Sequence, residues 1–309
     1  MHKVTIIQND KNTVLTAKSG ENLSSLLVNA GFFVEHLCGG RGVCKKCTVD
    51  IDGEKQLSCQ YKIHKNITVT LPDIAKINGN KTCGKINEKT CFVLDIGTTT
   101  LELALIAHND GTIIDSIKLI NPQRAFGGDV ISRIDYCRNN GAKQLQLPLI
   151  NEINRLISLF NVGKNIPLYV AGNTTMLHLF FGIDCSTIGV APYTPAFLDA
   201  KCVSGSQLGL SGISEVVSLP CVSSFVGADI VAGLNFVSQP EKGKFNFLID
   251  LGTNAETVLF SSDEIICTAA AAGPCFEGVN ISCGMSASDG AIYSFTNGKA
   301  ETINSSPPK

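Results

Sequence analysis

Four cysteines near the N-terminus have the types and spacing to do chemistry first. Cys38, Cys44, Cys47 and Cys59 read as C-x5-C-x2-C-x11-C within LCGGRGVCKKC and a following LSC. Thiolates gathered on one tight loop suit iron, and Gly39, Gly40 and Gly42 supply the backbone angles such a loop needs. Four cysteines also suit zinc, but zinc ribbons use two short C-x2-C knuckles, and only Cys44/Cys47 form one. The pattern therefore points to a [2Fe–2S] cluster, with zinc as the alternative.

A second constellation repeats. Phe92–Thr100 reads FVLDIGTTT and Phe247–Glu256 reads FLIDLGTNAE, each an apolar strand ending in Asp-x-Gly-Thr. Glycine lets the backbone approach a phosphate, hydroxyls and N–H groups bind its oxygens, and the aspartate holds Mg²⁺ through water. One copy is weak evidence. Two copies at matching places in a duplicated frame point to a nucleotide clasp around Asp95 and Asp250. Gly79–Lys85 (GNKTCGK) fits the first part of a P-loop, but Ile86 stands where the Mg²⁺-binding Ser or Thr belongs.

Elements must position these groups. Residues 3–7 and 13–17 read as a hairpin, Leu23–Ala30 as a short helix ended by Gly31, and Thr48–Ile51 with Lys55–Leu57 as a hairpin across Asp52-Gly53. A last strand, Ile67–Leu71, completes a small α+β unit of the β-grasp kind over residues 1–73. Residues 74–90 are Lys/Asn-rich and read as a linker. From 91 to 309 long apolar strands alternate with helices. Phe92–Asp95, Leu101–Ala107 and Thr112–Leu119 are predicted strands, Asp129–Asn140 a helix closed by Gly141, and Leu149–Asn161 an amphipathic helix. Ile166–Ala171 is a buried strand leading to a helix from Thr174. Phe245–Asp250 and Glu256–Phe260 repeat the first strand pair, so the module is α/β with an internal duplication.

Composition limits the alternatives. Of 309 residues, 44% are apolar and 17% charged, and the net charge is −2; this is a buried globular chain with no basic run for nucleic acid or an anionic membrane. No apolar stretch is long enough to span a bilayer, and the start lacks a signal-peptide core, so the cytoplasm is the expected compartment. Thirteen cysteines, an odd number, argue against a disulfide framework. Cys83/Cys91 and Cys275/Cys283 are each eight apart, which raises a second cluster shared across a homodimer. Without a C-x2-C core, small buried apolar roles are the default reading, and Cys137, Cys185, Cys202, Cys221 and Cys267 read as packing residues. His178 also reads as packed.

CGGRGVCKKC within a β-grasp unit resembles a [2Fe–2S] ferredoxin domain, and its five-residue first gap and short interval to Cys59 are similar to the N-terminal domain of reductive activators of corrinoid-dependent enzymes. The paired Asp-x-Gly-Thr motifs resemble the acetate and sugar kinase, heat-shock chaperone and actin superfamily, whose two ribonuclease-H-like halves clasp ATP. NPQRAFGGDVISRI (121–134), VAGNTTMLHLFFGI (170–183), FVGADIVAG (225–233) and AAAAGPCFEGVNISCGM (269–285) are similar to segments of the corrinoid-activator C-terminal domain. The resemblance implies that Asp95, Gly97, Thr98 and Thr99 form one phosphate motif and Asp250, Gly252, Thr253 and Asn254 the other. Asp229 is a further candidate for the magnesium shell or for orienting water, and Asn173 and Thr174 lie at a strand end facing the cleft; core or helix-cap roles remain open for all three. Only about 50 residues follow Asn254, too few for the second half-domain of relatives, so the expectation is a truncated copy, a fragment, or a form completed by a partner. The implied activity is ATP-dependent reduction of Co(II) to Co(I) in a corrinoid protein of a methyl-transfer system, with Mg-ATP as cofactor and an unidentified electron donor. A ferredoxin fused to a non-hydrolysing clasp is the alternative.

Overall fold

The computed structural model describes residues 1–8, 11–32, 34, 40–43, 45–71, 77–78, 89–160, 162–237, 240–273, 284–285 and 290–308. The N-terminal unit contains β1 (His2–Gln8), β2 (Lys11–Ala17), β3 (Glu21–Asn22), α1 (Leu23–Asn29), β4 (Thr48–Ile51), β5 (Glu54–Leu57), β6 (Lys62–Ile63) and β7 (Ile67–Thr70). Its five-stranded sheet runs β2-β1-β7-β4-β5, with β1 and β7 parallel at the centre. Alternation along β1 sends Val4 and Ile6 inward, where they meet Leu23 and Leu27 of α1, Val49, Ile51 and Val69. Asn22 caps α1 by accepting from the Ser25 N–H at 3.2 Å, and Gly31 follows the helix at φ +82°. The turn Asp52-Gly53 has positive φ at both residues, as a two-residue hairpin loop requires. The two-residue pair β3–β6 is too short to show a periodicity in sequence.

Beyond it, β8 (Ile77–Asn78) pairs with β11, so part of the segment read as a linker joins the second sheet. That sheet comprises β9 (Thr90–Ile96), β10 (Thr100–Ala107), β11 (Ile113–Ile120), β12 (Ile166–Gly172), β13 (Cys202–Ser204) and β14 (Ile213–Ser218), in the order β13-β14-β12-β9-β10-β11-β8. β9, β10 and β11 form an antiparallel meander, and β12 and β14 are parallel to β9. This is the arrangement of a ribonuclease-H-like half. Helices α2 (Val130–Asn140), α3 (Ala142–Ile157) and α4 (Thr174–Phe181) share one core with the sheet, around Phe92, Leu94, Ile96, Leu103, Leu145, Leu149 and Leu177.

α3 begins at Ala142, seven residues before the predicted start, and runs through Pro148. Leu145, Leu149, Ile153 and Leu156 keep one buried stripe across the proline, and that burial outweighs the lost backbone donor. His178 is packed as expected: its Nδ1–H donates to Thr174 O (2.7 Å), its Nε2 accepts from Ala196 N (3.0 Å), and its ring stacks on Phe197. Cys91, Cys137, Cys185 and Cys221 are buried and Cys267 half-buried. Cys202 departs from the packing role, because it lies exposed on the edge strand β13. Cys83, Cys275 and Cys283 lie outside the described residues, as does the GNKTCGK segment.

α5 (Ala228–Phe236) leads to β15 (Asn246–Leu251), β16 (Asn254–Phe260) and β17 (Ile265–Ala271), an antiparallel meander that repeats β9–β11, and then to the hairpin of β18 (Ile292–Thr296) and β19 (Lys299–Thr302). The duplication is exact in pattern but not in environment. Phe92, Leu94 and Ile96 are all 0% exposed, whereas their counterparts Phe247, Ile249 and Leu251 are 61%, 49% and 56% exposed. Leu103 lies at the centre of the first sheet with no exposed surface. Leu103→Ala is expected to lower the unfolding free energy of this unit by about 2–5 kcal/mol, measurable by urea denaturation; a loss below ~1 kcal/mol would mean the core is not organised around β10.

Candidate functional site

The first Asp-x-Gly-Thr loop is held from behind. Asn121 donates Nδ2–H to Gly97 O at 2.8 Å, and the Asn121 N–H donates to Thr99 O at 2.9 Å. Arg133, which has no exposed surface, donates from Nη2 to Thr98 O (2.5 Å) and from Nε to Gly127 O (3.0 Å). Asn173 closes the other side. Its Oδ1 caps α4 by accepting from Met176 N (3.0 Å), while its Nδ2 donates to Thr98 Oγ1 (3.0 Å). With the carbonyls of residues 97–99 engaged by these donors, the face of the loop left toward the cleft is its hydroxyls and N–H groups. A Cβ on Gly97 would come within 2.8 Å of Thr100 O, so only glycine fits this turn.

The second loop faces the first. Thr99 Oγ1 and Thr253 Oγ1 lie 3.5 Å apart, and the cleft between the loops, about 480 Å³, is lined by Asp95, Gly97, Thr98, Thr99, Asn173, Asp229, Asp250, Gly252, Thr253 and Asn254. Every candidate phosphate and acid residue thus reaches one cavity. The second turn is one residue shorter, since Ile96 pairs with Leu101 but Leu251 with Ala255. Thr174 departs from the cleft-facing placement: it is buried and its hydroxyl donates to Ser223 O at 2.5 Å. Gly227 brings the start of α5 against the loop, because a Cβ there would sit 2.4 Å from Asn173 Cα. Asp229, in the first turn of α5, reaches the cleft by this close approach.

Sequence reasoning missed Glu256 and Lys118, which also line the cleft. Their signal lay in strand register: Asp95 pairs with Glu102 and Glu102 with Lys118, while Asp250 pairs with Glu256. Lys118 Nζ lies 3.5 Å from Glu102 Oε2. Burial raises Asp95 above the usual carboxylate range although it keeps solvent access through the cleft mouth; Lys118 opposes the shift, and Glu102 and Asp250 add to it. Burial, with the charges of Asp95 and Asp250, pushes Asp229 up to about 6. Glu256 is pushed up to about 7 by burial and by the charges of Asp229 and Asp250. Such crowding of acids calls for a cation. Among the described residues no three carboxylate, imidazole or thiol groups converge on one direct metal site, so an ion here would be held largely through water.

At the cysteine loop, Cys47 and Cys59 face each other with their sulfurs 3.2 Å apart. Burial pushes the Cys47 thiol up to about 11. Gly40 and Gly42 have φ of +84° and +77°, as the loop reading required. Gln60 Nε2 donates to Gly40 O at 2.7 Å, and Asn22, the cap of α1, donates to Cys59 O at 2.9 Å. Paired inward thiols on a glycine-bent loop fit an iron–sulfur cluster. Cys38, Gly39 and Cys44 lie outside the described residues.

The fold and these two sites define an iron–sulfur ferredoxin domain joined to an actin-like α/β domain. Comparison with known proteins gives that class its particular form. Residues 6–64 match the 2Fe-2S iron-sulfur cluster binding domain, residues 90–239 the RACo middle region, and residues 244–306 the C-terminal domain of RACo, the ASKHA domain. The chain therefore carries the domain set that the sequence resemblance implied. It is 32% identical over 213 residues to the corrinoid activation enzyme RamQ of Eubacterium limosum, covering 65% of this chain and 35% of the relative. It is 31% identical over 218 residues to the [Co(II) methylated amine-specific corrinoid protein] reductase of Methanosarcina barkeri, covering 65% and 39%. The matched part is thus well under half of either relative's length. A solved structure of a reductive activator for corrinoid,iron-sulfur protein superposes with a TM-score of 0.64 at 25% identity, over all of this chain and 70% of that one. No helix among the described residues is long and apolar enough to cross a membrane.

The acid cluster sets a pH dependence. Glu256 and Asp229 titrate higher in the folded chain than the ordinary carboxylate values of 4.5 and 3.8, so their neutral forms favour folding. That contribution is fully present below about pH 4 and is lost as pH rises through about 6 and 7. The melting temperature of the metal-free nucleotide domain is therefore expected to fall by roughly 3–6 °C between pH 5 and 7.5, and Glu256→Gln to flatten the slope. An unchanged slope in that variant would show that the cluster carries no such charge.

Proposed function

We propose that this chain is the iron–sulfur and nucleotide-binding part of an ATP-dependent reductive activator, which restores Co(I) from Co(II) in a corrinoid protein of a methyl-transfer system. The single observation that carries the reading is the meeting of the two Asp-x-Gly-Thr loops, at Thr99 and Thr253, across an acid-lined cleft in a chain that also bears the cysteine loop. Cys38, Cys44, Cys47 and Cys59 would hold a [2Fe–2S] cluster. Such a cluster supplies one low-potential electron at a time, near about −400 mV in plant-type ferredoxins. An acceptor below that potential is uphill by a factor of ten per ~59 mV. Nucleotide binding could offset this if it favours the acceptor state that is easier to reduce.

The chain's own residues divide the work. Gly97, Thr98 and Thr99 on one side, and Gly252, Thr253 and Asn254 on the other, offer N–H and hydroxyl groups to phosphate oxygens. Asp95 and Asp250 would hold Mg²⁺ through water, and Asp229 would orient an attacking water. Lys118, paired with Glu102, offers the cleft a positive charge. The electron donor is not identified by these features. The rival reading, a ferredoxin on a clasp that binds without hydrolysis, is favoured by one observation: the exposed apolar positions of β15 leave the second phosphate loop on a thinly covered strand.

The test is ATP hydrolysis by the anaerobically purified chain, with and without a Co(II) corrinoid protein. Hydrolysis is expected to be stimulated by the partner and to drop about 10²-fold or more in Asp95→Ala, with the visible and EPR spectra of the cluster retained. Cys59→Ala should do the reverse, losing the cluster signal while nucleotide affinity stays within about threefold of the native chain. A normal cluster spectrum with bound but unhydrolysed ATP would select the rival reading.

A further inference from the structure

Between the two domains lies a contact that neither site accounts for. Val28 of α1 packs against the core of the nucleotide domain, and cavities of about 440 and 300 Å³ flank it. The larger one has Asn29, Gly40 and Cys59 on the ferredoxin side and Phe126, Tyr136 and Gln144 on the other, and among the described residues those bordering it are uncharged. Well-packed interfaces do not keep voids of this size. A small apolar contact flanked by roomy, hydrogen-bonding walls, with Glu152 and Arg155 at the smaller cavity, is the mark of a surface that docks and releases.

The nucleotide-domain side of this contact is not an independent surface. It is built on residues 121–136, the segment that holds the first phosphate loop. Asn121 and Arg133 bind the carbonyls of residues 97–99. Within the same segment the Asn121 side chain accepts from Gln123 N, Gln123 O accepts from the Phe126 N–H, and Phe126 packs edge-on against Tyr136 with ring centres 4.9 Å apart. Phe126 and Tyr136 then face the cavity that contains Gly40 and Cys59. Two hydrogen bonds and one ring contact thus connect the residue that holds the loop carbonyls to the wall facing the cysteine loop.

We infer that the face formed by residues 122–126, Tyr136 and Gln144 is a reversible docking surface for this chain's own ferredoxin domain, and that occupancy of the phosphate loop at Gly97–Thr99 controls the docking. The control rests on the nucleotide reading above; the docking does not. Release would free the cysteine loop to meet a partner, and docking would cover its Cys59 side.

Hydrogen–deuterium exchange on the full, cluster-loaded chain tests both parts. Asn29 and Gln144 are exposed residues on opposite walls, so Asn29→Glu with Gln144→Glu places like charges across the contact without disturbing either core. That double variant is expected to speed exchange in residues 23–29 at least threefold, and Asn29→Glu with Gln144→Lys to restore it. Mg·ADP is expected to change exchange at least threefold both in 121–133 and in 23–29 of the native chain, and only in 121–133 of the Glu/Glu variant. Unaltered exchange in the Glu/Glu variant would overturn the docking surface. A response to Mg·ADP in 121–133 that never reaches 23–29 would overturn the control. Absence of Mg·ADP binding by calorimetry would remove the nucleotide reading and the control with it, while the charge-pair comparison would still decide the docking.

Discussion

Two side-chain donors, Asn121 Nδ2 and Arg133 Nη2, hold the carbonyls of Gly97 and Thr98, and the cleft between the two Asp-x-Gly-Thr loops is organised around that restraint. A strand that ends in Asp-x-Gly-Thr could turn with either its carbonyls or its N–H groups toward the cleft. Carbonyls there would repel phosphate. Engaging them with a buried guanidinium and an amide leaves donors for the cleft, and hydrogen bonds to a charged group in a buried setting are among the stronger ones available. Asn173 extends the same restraint to α4 and Gly227 to α5, so the loop, two helix starts and Asp229 form one body.

The electrostatics follow from that body. Asp95, Asp229 and Glu256 are pressed together around the cleft they share with Asp250, and burial raises the proton affinity of all three. The two halves are unequal: β9 is sunk in a core covered by helices, while β15, with the same apolar pattern, leaves Phe247, Ile249 and Leu251 about half exposed. Identical local pattern, different burial, is the consequence of what packs over each strand.

The cysteine loop obeys a different logic. It depends less on packing than on backbone freedom at Gly40 and Gly42 and on two amide tethers, from Gln60 and Asn22. Because Asn22 also caps α1, the geometry at Cys59 is tied to the helix that touches the nucleotide domain.

Much of this was legible in the sequence. Alternation and turn chemistry marked the five strands of the first sheet and β9 to β12 of the second, though not β8, β13 or β14; the repeated Asp-x-Gly-Thr marked the paired loops and the cysteine spacing marked the cysteine loop, because each is a short-range constraint that period, glycine and ligand spacing express directly. Cys202 was misplaced, Thr174 took the buried role left open beside the cleft-facing one, and α3 was begun too late, because burial of a hydroxyl, the edge position of a strand and the tolerance of Pro148 are set by neighbours distant in the chain. Glu256 and Lys118 were missed for the same reason: they join the cleft through strand register. The sequence by itself determined which residues could bind a cluster and phosphates. Only the tertiary structure decided that residues 121–133 hold the phosphate loop and also face the cysteine loop, since hydrogen bonds between segments dozens of residues apart leave no local pattern to read.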